Sequence, residues 1–512
     1  MDSQPCHSAR VRYSTQMMEH LFPPNRHWPV ILLLLLLFFT VIQFNSLDVF
    51  ARDYDEGVYL AEAHLLYAGH DLYTEIKSPL LPPFLWGLAT LFALAGGPSV
   101  VAARLGIIAM GALGLVAMAW CGQRLAPPGH GAATGMAAAL LLLLLPRWLF
   151  YGQIAMADIP SLSLSLVAVA VALVGWQEER ARRFFFLGGL VAGLAFGVKQ
   201  LAAYTAPLLA LIVLLSYRPQ RPFTPTRFFL DGLATLGGFL LSILLPVAFV
   251  DIQGAYQQAF LFHLGVANTW VDPLNALRLI GVFHWEHLGW TLLALLGLFV
   301  LAQRRAWRTI GLLLGWEALV IVLLSQNAPL WGHLMLPLVS PVILAGALAL
   351  VEGTTLLLNR QPRALPIALA AALFVLLWPL SLRADQATLS PPAQGSVLQN
   401  EIIPWLRATV PPTDRLLTDD QIIAVRVGRL VPHDMTDTSF TKIHSGFLSA
   451  QELITATERD RPAAIIFWSN RFNSLPEWRQ WVEQHYRVGR QLSSEQVIFL
   501  RPDLAPPSDP LP

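Results

Sequence analysis

The sequence predicts a polytopic α-helical membrane protein with a small α/β domain at its C-terminus. Hydrophobic residues make up 55% of the 512-residue chain and charged residues 13%, against roughly one quarter charged in a soluble domain. Apolar runs of about 17–25 residues, long enough to cross roughly 30 Å of hydrocarbon, recur from Trp28 to Leu382. The formal net charge of +1 gives no indication of a nucleic-acid partner.

The basic residues orient the chain across the membrane. Residues 1–27 carry three arginines and run into a full-length span, which predicts a retained tail rather than a cleaved signal peptide. Lys and Arg concentrate in cytoplasmic loops, so we place this tail in the cytoplasm with the four basic loops. These loops are 180–183, 218–227, 304–308 and 360–363. The absence of an Asn-x-Ser/Thr sequon favours a bacterial plasma membrane.

The same alternation predicts eleven spans and one apolar segment that does not cross. The spans are 28–48, 101–121, 131–146, 161–176, 184–198, 200–216, 228–250, 286–303, 309–325, 334–351 and 364–382. Leu80–Gly96 is short and begins in a stretch that contains several prolines. If it crossed the membrane, the N-terminal tail would lie on the opposite side from every later basic loop. We predict a juxtamembrane or re-entrant helix under the first external loop, 49–100. The alternative is an ordinary span at this segment, with one of the later weak segments not crossing.

The chain after the membrane domain, 28–383, has a different character. Residues 384–512 are predicted to form a small external α/β domain behind a Pro-containing linker. Capping-box motifs at Ser449 and Ser474 predict two helix starts. Strand-like runs alternate with these helices at 415–418, 463–468 and 496–500. We expect this domain to be dispensable for the chemical step, because it lies outside the candidate residues described next.

Polar side chains at the external ends of the spans are the candidate functional residues. They are Asp53, Asp55, Glu56, Lys77, Arg104, Asp158, Lys199 and His333. A carboxylate costs about 2.5–3.5 kcal/mol at the centre of a membrane helix, so the acidic cluster must lie at a rim or in a cavity. Carboxylates and several cations on one face suit a deprotonated nucleophile and a phosphate leaving group.

Each of these residues also has a purely structural interpretation. Asp55 could cap a helix N-terminus. Lys199 and Arg104 could extend along the spans to the head groups. Asp158 stands two residues before a proline, which is a common turn signal. A lone histidine such as His333 is more often structural than catalytic.

Motifs that are absent from the sequence limit which phosphate-containing donor a group-transfer reaction could use. It contains neither a G-x-x-x-x-G-K-[ST] loop nor a strand-flanked G-x-G-x-x-G motif. Nucleotide donors are scarce outside the cytoplasm, so a lipid-linked phosphate donor with its head group at the rim fits better. The rival classes are a non-catalytic envelope scaffold and a secondary transporter. Few interior charges and no internal repeat argue against the transporter.

The order of the motifs resembles that of a known superfamily. The motifs are Asp55-Glu56, Gly69-x-x-x-Tyr73, Lys77-x-Pro79, Pro82-Pro83, Asp158, Gly193-Leu-Ala-Phe-Gly before Lys199, and His333–Pro337–Pro341. Together they resemble the GT-C glycosyltransferases over roughly residues 28–383. The most similar group is the protein mannosyltransferases and aminoarabinose transferases, which comprises glycosyltransferase family 39 and its bacterial relatives.

The resemblance implies an activity and a role for each site residue. It implies inverting transfer of a monosaccharide from a polyprenyl-phosphate-linked donor to an external lipid, glycan or protein acceptor. Asp55 would be the catalytic base, and Glu56 would orient the loop or help to position the acceptor. Lys77, Arg104 and Lys199 would hold the carrier phosphate.

The chain departs from the family pattern in two places. Ile76 separates a Glu and a Lys that are adjacent in aminoarabinose transferases, so their sugar specificity is not assumed. His333 stands where Tyr or Arg is often found, which leaves its role open. Some GT-C enzymes use a divalent metal held by carboxylates, and Asp55 and Asp158 would then be the ligands of Mg²⁺ or Mn²⁺. The family often needs no metal.

Overall fold

The predicted fold class is confirmed by the architecture of the chain. The computed structural model describes residues 27–45, 47–49, 53–178, 181–218, 221–265, 272–327, 329–359, 364–389 and 395–504. Within these residues, a bundle of apolar helices is followed by a smaller part that combines helices with a four-stranded sheet.

The membrane part is a succession of helices joined by short turns. They are α1 (Trp28–Phe44), α2 (Tyr54–Tyr67), α3 (Pro82–Leu94), α4 (Val100–Leu125), α5 (Gly131–Leu143), α6 (Pro146–Tyr151), α7 (Asp158–Gln177), α8 (Ala181–Val198), α9 (Thr205–Leu215), α10 (Pro225–Val247), α11 (Ile252–Ala255), α12 (Pro273–Glu286), α13 (Leu288–Gln303), α14 (Trp307–Ser325), α15 (Val339–Leu358) and α16 (Ala364–Leu389). Several begin at a proline, where the missing N–H would have no helical partner in any case.

The predicted spans coincide with helices, but their lengths differ. In the described part of the chain, seven helical segments are long and apolar enough to cross a membrane, or eight if α12 and α13, bent by 89° at their junction, form one broken span. Helix α3 has 13 residues and rises about 20 Å, which is less than the hydrocarbon thickness. Its juxtamembrane or re-entrant placement, and the count of eleven, stay predictions.

The backbones of α8 and α10 approach each other along a row of glycines. A Cβ atom at Gly189 would lie 2.0 Å from the Thr235 carbonyl oxygen, and one at Gly193 would lie 2.2 Å from the Phe239 carbonyl oxygen. Small residues permit such close packing of membrane helices. The contact fixes the end of α8, and Lys199 follows α8 directly.

The C-terminal part contains a mixed sheet flanked by helices. Its elements are a short helical segment at Gly395–Thr409, then β1 (Leu416–Thr418), α17 (Gln421–Val427), α18 (Phe440–His444), α19 (Ala450–Asp460), β2 (Ala464–Phe467), α20 (Pro476–His485), β3 (Arg487–Gln491) and β4 (Val497–Leu500). The strand order is β1-β2-β4-β3, with β1 parallel to β2 and the other pairs antiparallel. Three of these strands match the predicted runs. The polar strand β3 was not predicted.

One of the two predicted capping boxes is present. The Ser449 hydroxyl accepts the Glu452 N–H, and the Glu452 carboxylate accepts the Ser449 N–H. The box predicted at Ser474 is wrong. Ser474 ends a 3₁₀ turn, and its hydroxyl donates to the Arg471 carbonyl oxygen, so α20 begins at Pro476 without a side-chain cap.

The C-terminal part packs directly on α2, within the loop that the sequence predicts to be external. Helix α17 lies so close to α2 that a Cβ atom at Gly57 would be 2.6 Å from the Ile422 nitrogen. Buried side chains of the two parts, such as Val58 and Ile423, belong to one continuous hydrophobic core. Contrary to the expectation from the sequence, this part therefore does not lie apart from the candidate residues.

Candidate active site

The N-terminus of α2 presents three carboxylates with different environments. Asp53 is the N-cap residue, since its side chain accepts the Asp55 N–H at 3.0 Å. Asp55 and Glu56 lie in the first turn, where the helix dipole favours negative charge. The alternative in which Asp55 caps the helix is thus wrong, because Asp53 supplies the cap.

Glu56 forms a buried ion pair with Arg104. The guanidinium donates to both carboxylate oxygens, at 2.8 and 2.7 Å, and to the carbonyl oxygens of Leu47 and Val49. The carboxylate also accepts the Ala155 N–H at 2.9 Å. The pair therefore joins α2 to α4 and to the segment before α7. This geometry agrees with the expected role of Glu56 in orienting the loop, while its alternative role in acceptor positioning and the phosphate binding expected of Arg104 stay predictions.

Asp158 and Lys199 form a second buried pair beside α2. The Lys199 ammonium donates to both Asp158 carboxylate oxygens at 2.8 Å. The two side chains are 2% and 11% exposed, so Lys199 does not extend to the head groups. The Ser161 hydroxyl, one turn along α7, donates to the Ala195 carbonyl oxygen and holds α7 against the end of α8.

His333 completes this buried group. It lies in a 3₁₀ segment, Gly332–Leu338, and lines a small cavity together with Asp158 and Lys199. Its ring packs edge-on against Tyr151, with the ring centroids 5.9 Å apart. His333 therefore lies in the site, but within the described residues it forms no hydrogen bond to Asp158 or Lys199.

Asp53 and Asp55 have unequal acidities. Burial, followed by the charge of Asp55, raises the pKa of Asp53 to about 8. Burial also raises the pKa of Asp55, to about 6, while Lys199 opposes this rise and Asp158 adds to it. Near neutral pH, Asp53 is therefore largely protonated and Asp55 largely ionised. The influence of Asp158 and Lys199 on both groups places the α2 N-terminus close to the buried pair.

Lys77 is an exposed residue of a mostly buried loop that is held beside the same pair. The Ser78 hydroxyl donates to Glu62 at 2.9 Å, and the Gln200 side chain donates to the Pro79 carbonyl oxygen at 3.0 Å. Gln200 directly follows Lys199, so the loop is fixed to the turn that carries the buried cation. The Lys77 ammonium forms no ion pair within the described residues, and it is therefore available to an anion.

Residues of the C-terminal part reach the site as well, which the sequence did not predict. The Thr438 N–H donates to the Tyr54 hydroxyl at 2.7 Å, and the Arg471 guanidinium lies 3.6 Å from the centroid of the Tyr54 ring. The charge of Asp437 raises the pKa of Asp55 and that of Arg471 lowers it. The segment 434–442 is rich in Asp, Thr and Ser, which indicates only a polar loop.

A further buried ion pair was also missed. The Arg147 guanidinium donates to Asp385 at 2.6 Å and to the Gly332 carbonyl oxygen, next to His333, at 3.1 Å. Arg147 belongs to what the sequence presented as an external loop, and Asp385 lies beyond the predicted end of the membrane domain. The two residues are too far apart in sequence for any local motif to connect them.

Asp158 already has a cationic partner, which bears on whether it could also bind a metal. Both of its oxygens are bound by Lys199. In the part of the chain that the structure describes, no three or more His, Cys, Asp or Glu side chains gather as a metal site requires. A divalent metal between Asp55 and Asp158 stays a prediction, and no chemical step below depends on it.

Comparisons with known proteins agree with this fold. A family model described as dolichyl-phosphate-mannose-protein mannosyltransferase matches residues 77–247. No curated protein sequence matches the chain. ArnT from Cupriavidus metallidurans bound to undecaprenyl phosphate is similar in structure, with a TM-score of 0.64 and 16% identity over 93% of this chain and 99% of ArnT.

A more distant structure shares the fold. The archaeal oligosaccharyltransferase AglB from Archaeoglobus fulgidus, in complex with an inhibitory peptide and a dolichol-phosphate, has a TM-score of 0.53 and 11% identity over 94% of this chain and 75% of AglB. The fold is that of the GT-C superfamily. The chain thus has an ArnT-like fold, and its segment that matches the mannosyltransferase family model includes Lys77, Arg104, Asp158 and Lys199. The resemblance predicted from the sequence is confirmed.

Proposed function

We propose that the protein transfers a monosaccharide from a polyprenyl-phosphate-linked donor to an acceptor on the external face of the membrane, with inversion at the sugar. The donor class is supported by the undecaprenyl phosphate and the dolichol-phosphate bound by the two structural neighbours. The family model describes a dolichyl-phosphate-mannose donor, which has the same chemistry.

One observation carries the proposal: Asp55 lies in the first turn of α2, close enough to the buried ammonium of Lys199 for that charge to lower its pKa, and Gln200, next to Lys199, holds the loop that carries Lys77. A pKa of about 6 for Asp55 suits a general base near neutral pH, because the group is deprotonated yet still basic enough to accept a proton. The two lysines supply positive charge where the carrier phosphate leaves.

These groups account for the proton, the bond that forms and the bond that breaks in the transfer. Asp55 takes the proton of the acceptor hydroxyl while the hydroxyl oxygen forms a bond to the anomeric carbon. The bond from that carbon to the carrier phosphate breaks, and its electron pair leaves with the phosphate. Lys199 and Lys77 bind the phosphate more tightly as its charge grows, which lowers the barrier. Because a phosphate leaves readily, no paired acid is needed.

The remaining charged residues position this machinery. Asp158 holds the Lys199 ammonium in a fixed direction, and an ammonium has a third donor left for an anion. The buried pair of Glu56 and Arg104 fixes the α2 N-terminus, so we assign both residues to positioning rather than to substrate contact. The charges of Asp437 and Arg471 reach Asp55 from the C-terminal part, which suits a role of that part in acceptor recognition.

The decisive experiment compares Asp55→Asn with Asp53→Asn. An asparagine side chain in place of Asp55 cannot take a proton, so turnover should fall at least ~100-fold, the usual scale of general-base loss, with donor affinity unchanged. Asp53 is already largely protonated, and asparagine is an equally good N-cap, so Asp53→Asn should retain most activity. The assay uses purified protein, a polyprenyl-phosphate sugar and a hydroxyl acceptor, and it measures the released carrier phosphate.

The pH profile is an independent readout. Because the base must be deprotonated, kcat/KM of the wild type should decline as the pH falls below about 6, the pKa of Asp55. Near-normal turnover in Asp55→Asn would remove Asp55 as the base. Mass spectrometry of envelope glycans and glycolipids with and without the protein would identify the sugar and the acceptor. Identical glycans and glycolipids with and without the protein would count against the proposed transfer from this class of donor.

A further inference from the structure

A cavity in the described part of the chain lies far from this site. Its volume is about 530 Å³, within the roughly 300–1,000 Å³ of ligand sites. It lies where the C-terminal ends of α4, α7 and α13 meet the start of α14. Neither the sugar-transfer chemistry nor the packing of the C-terminal part uses it.

The position of the cavity follows from helix geometry. Arg104 and Arg124 lie near opposite ends of α4, whose 26 residues rise about 39 Å. Asp158 and Gln177 begin and end α7 in the same way. The cavity is therefore separated from the active site by about the thickness of the hydrocarbon layer, ~30 Å, and it opens at the opposite membrane face.

Three arginines give the cavity its charge. Arg124 donates to the Gln177 side chain at 2.7 Å, and Arg218 donates to the Gln177 carbonyl oxygen at 2.9 Å. Arg304 pairs with Glu352. Among the described residues, Arg124 and Arg218 have no carboxylate partner, and the buried Arg218 Nε atom has no hydrogen-bond acceptor. Within the described residues, the pocket thus has arginine charge that no carboxylate pairs with and one donor without an acceptor.

The rest of the wall is apolar. Leu125, Leu173, Trp176 and Leu301 line the cavity beside the arginines. Trp is typical of the boundary between hydrocarbon and head groups. Guanidinium groups bind phosphate oxygens with well-matched geometry, and basic pockets between membrane helices bind anionic head groups. A ligand that fits both surfaces has a phosphate beside an acyl chain.

We propose that this pocket binds an anionic phospholipid of the leaflet opposite the active site, with its phosphate on Arg124 and Arg218 and its chains along the apolar wall. The lipid contacts the ends of α4, α7, α13 and α14 at once. Because it binds the folded protein, it stabilises the bundle by mass action. This site is independent of the donor and of the sugar-transfer chemistry.

The test uses the full-length protein in nanodiscs of phosphatidylcholine with increasing phosphatidylglycerol. We expect phosphatidylglycerol to raise the wild-type Tm, and the double variant Arg124→Gln/Arg218→Gln to bind it roughly 30-fold more weakly, since each removed cation costs about fivefold near a lipid surface. The matched control is Arg227→Gln/Arg308→Gln. It removes two exposed arginines of the same face that do not line the cavity, and it should respond like the wild type.

Two further arms decide the outcome. A photoactivatable phosphatidylglycerol should label wild-type peptides that contain Trp176 or Arg218, a result that does not depend on the stability of any variant. Inorganic phosphate should not reproduce the rise in Tm. Labelling elsewhere, or an equal response of the pocket and control variants, would overturn the proposal. A full response to inorganic phosphate would indicate a site for a soluble anion instead.

Discussion

Asp53 and Asp55 stand two residues apart and yet have different protonation states near neutral pH. Burial raises the pKa of both groups. The charge of Asp55 raises the pKa of Asp53 further, whereas the charge of Lys199 is the strongest influence that lowers the pKa of Asp55. Two carboxylates whose environments separate their pKa values are typical of an active site. Asp55 is thus the more acidic of the two carboxylates, and it is the one that we propose as the base.

The cations of the site also differ in burial and in pairing. Arg104 is 2% exposed and is used fully by Glu56 and two carbonyl oxygens, whereas Lys77 is exposed. Removing one partner of a buried ion pair leaves an uncompensated charge, which costs about 3–5 kcal/mol. A surface substitution away from such features changes stability by only about 0.5 kcal/mol.

This contrast gives a prediction for two variants of similar chemistry. Arg104→Gln should destabilise the protein by about 3–5 kcal/mol, because Glu56 stays buried without its partner. Lys77→Gln should leave the Tm nearly unchanged and weaken donor binding about tenfold or more, as a hydrogen bond to a charged group is worth about 1.5–3 kcal/mol. Thermal unfolding and donor titration measure both. Unchanged donor affinity in Lys77→Gln would contradict the assignment of Lys77 to the phosphate.

At the scale of elements, the site depends on how closely α2 and α17 approach each other. Helix α2 carries Asp55, and α17 belongs to the C-terminal part. Gly57 permits the contact, because a Cβ atom there would be 2.6 Å from a backbone nitrogen that cannot rotate away. A glycine inside a helix lowers helix stability, so packing decides the residue at this position.

Gly57→Ala tests this contact, with Gly87→Ala as the control. Gly87 lies inside α3, and a Cβ atom there would have no neighbour within 4 Å. We expect Gly57→Ala to lower stability by about 1–3 kcal/mol through overpacking and to reduce turnover, because α2 must shift. Gly87→Ala should be neutral or slightly stabilising, as Ala is the better helix former. Equal Tm values for the two variants would show that the α2–α17 contact is loose.

At the scale of the whole molecule, three parts of the chain form one site. Helix α2 carries Asp55, which we propose as the base, the start of α7 and the end of α8 hold the buried ion pair, and the C-terminal part brings the charges of Asp437 and Arg471 close to Asp55. Under the proposed function, a donor with its chain in the bilayer meets the acceptor at this site. The basic cavity at the far end of the same helices belongs to the opposite face.

The orientation of the molecule remains a prediction from its basic loops, and cysteine labelling tests it. In a background without Cys6 and Cys121, Lys77→Cys should react with a membrane-impermeant reagent added outside intact cells. Arg183→Cys and Arg308→Cys should react only after the membrane is opened, since loops rich in arginine stay in the cytoplasm. All three positions are exposed. Labelling from the reverse side at either group would refute the assigned topology and the placement of α3.

The sequence by itself determined the features that are encoded locally. Apolar length predicted the membrane helices, the Ser449 capping box predicted the start of α19, and the order of short motifs predicted the superfamily. These signals depend on neighbouring residues, so no partner from elsewhere in the chain is needed to detect them. The polar edge strand β3 has no such signal, because its side chains are largely exposed.

Only the tertiary structure decided which charges meet. Glu56 pairs with Arg104 across 48 positions and Lys199 with Asp158 across 41, while Thr438 reaches Tyr54 across 384. Any carboxylate at the rim could have met any of the cations there, and the sequence gives no preference among them. The choice follows from the packing of α2, α4, α7 and α8. That packing buries these ion pairs and brings Asp55 close enough to Lys199 for the ammonium charge to lower the pKa of Asp55.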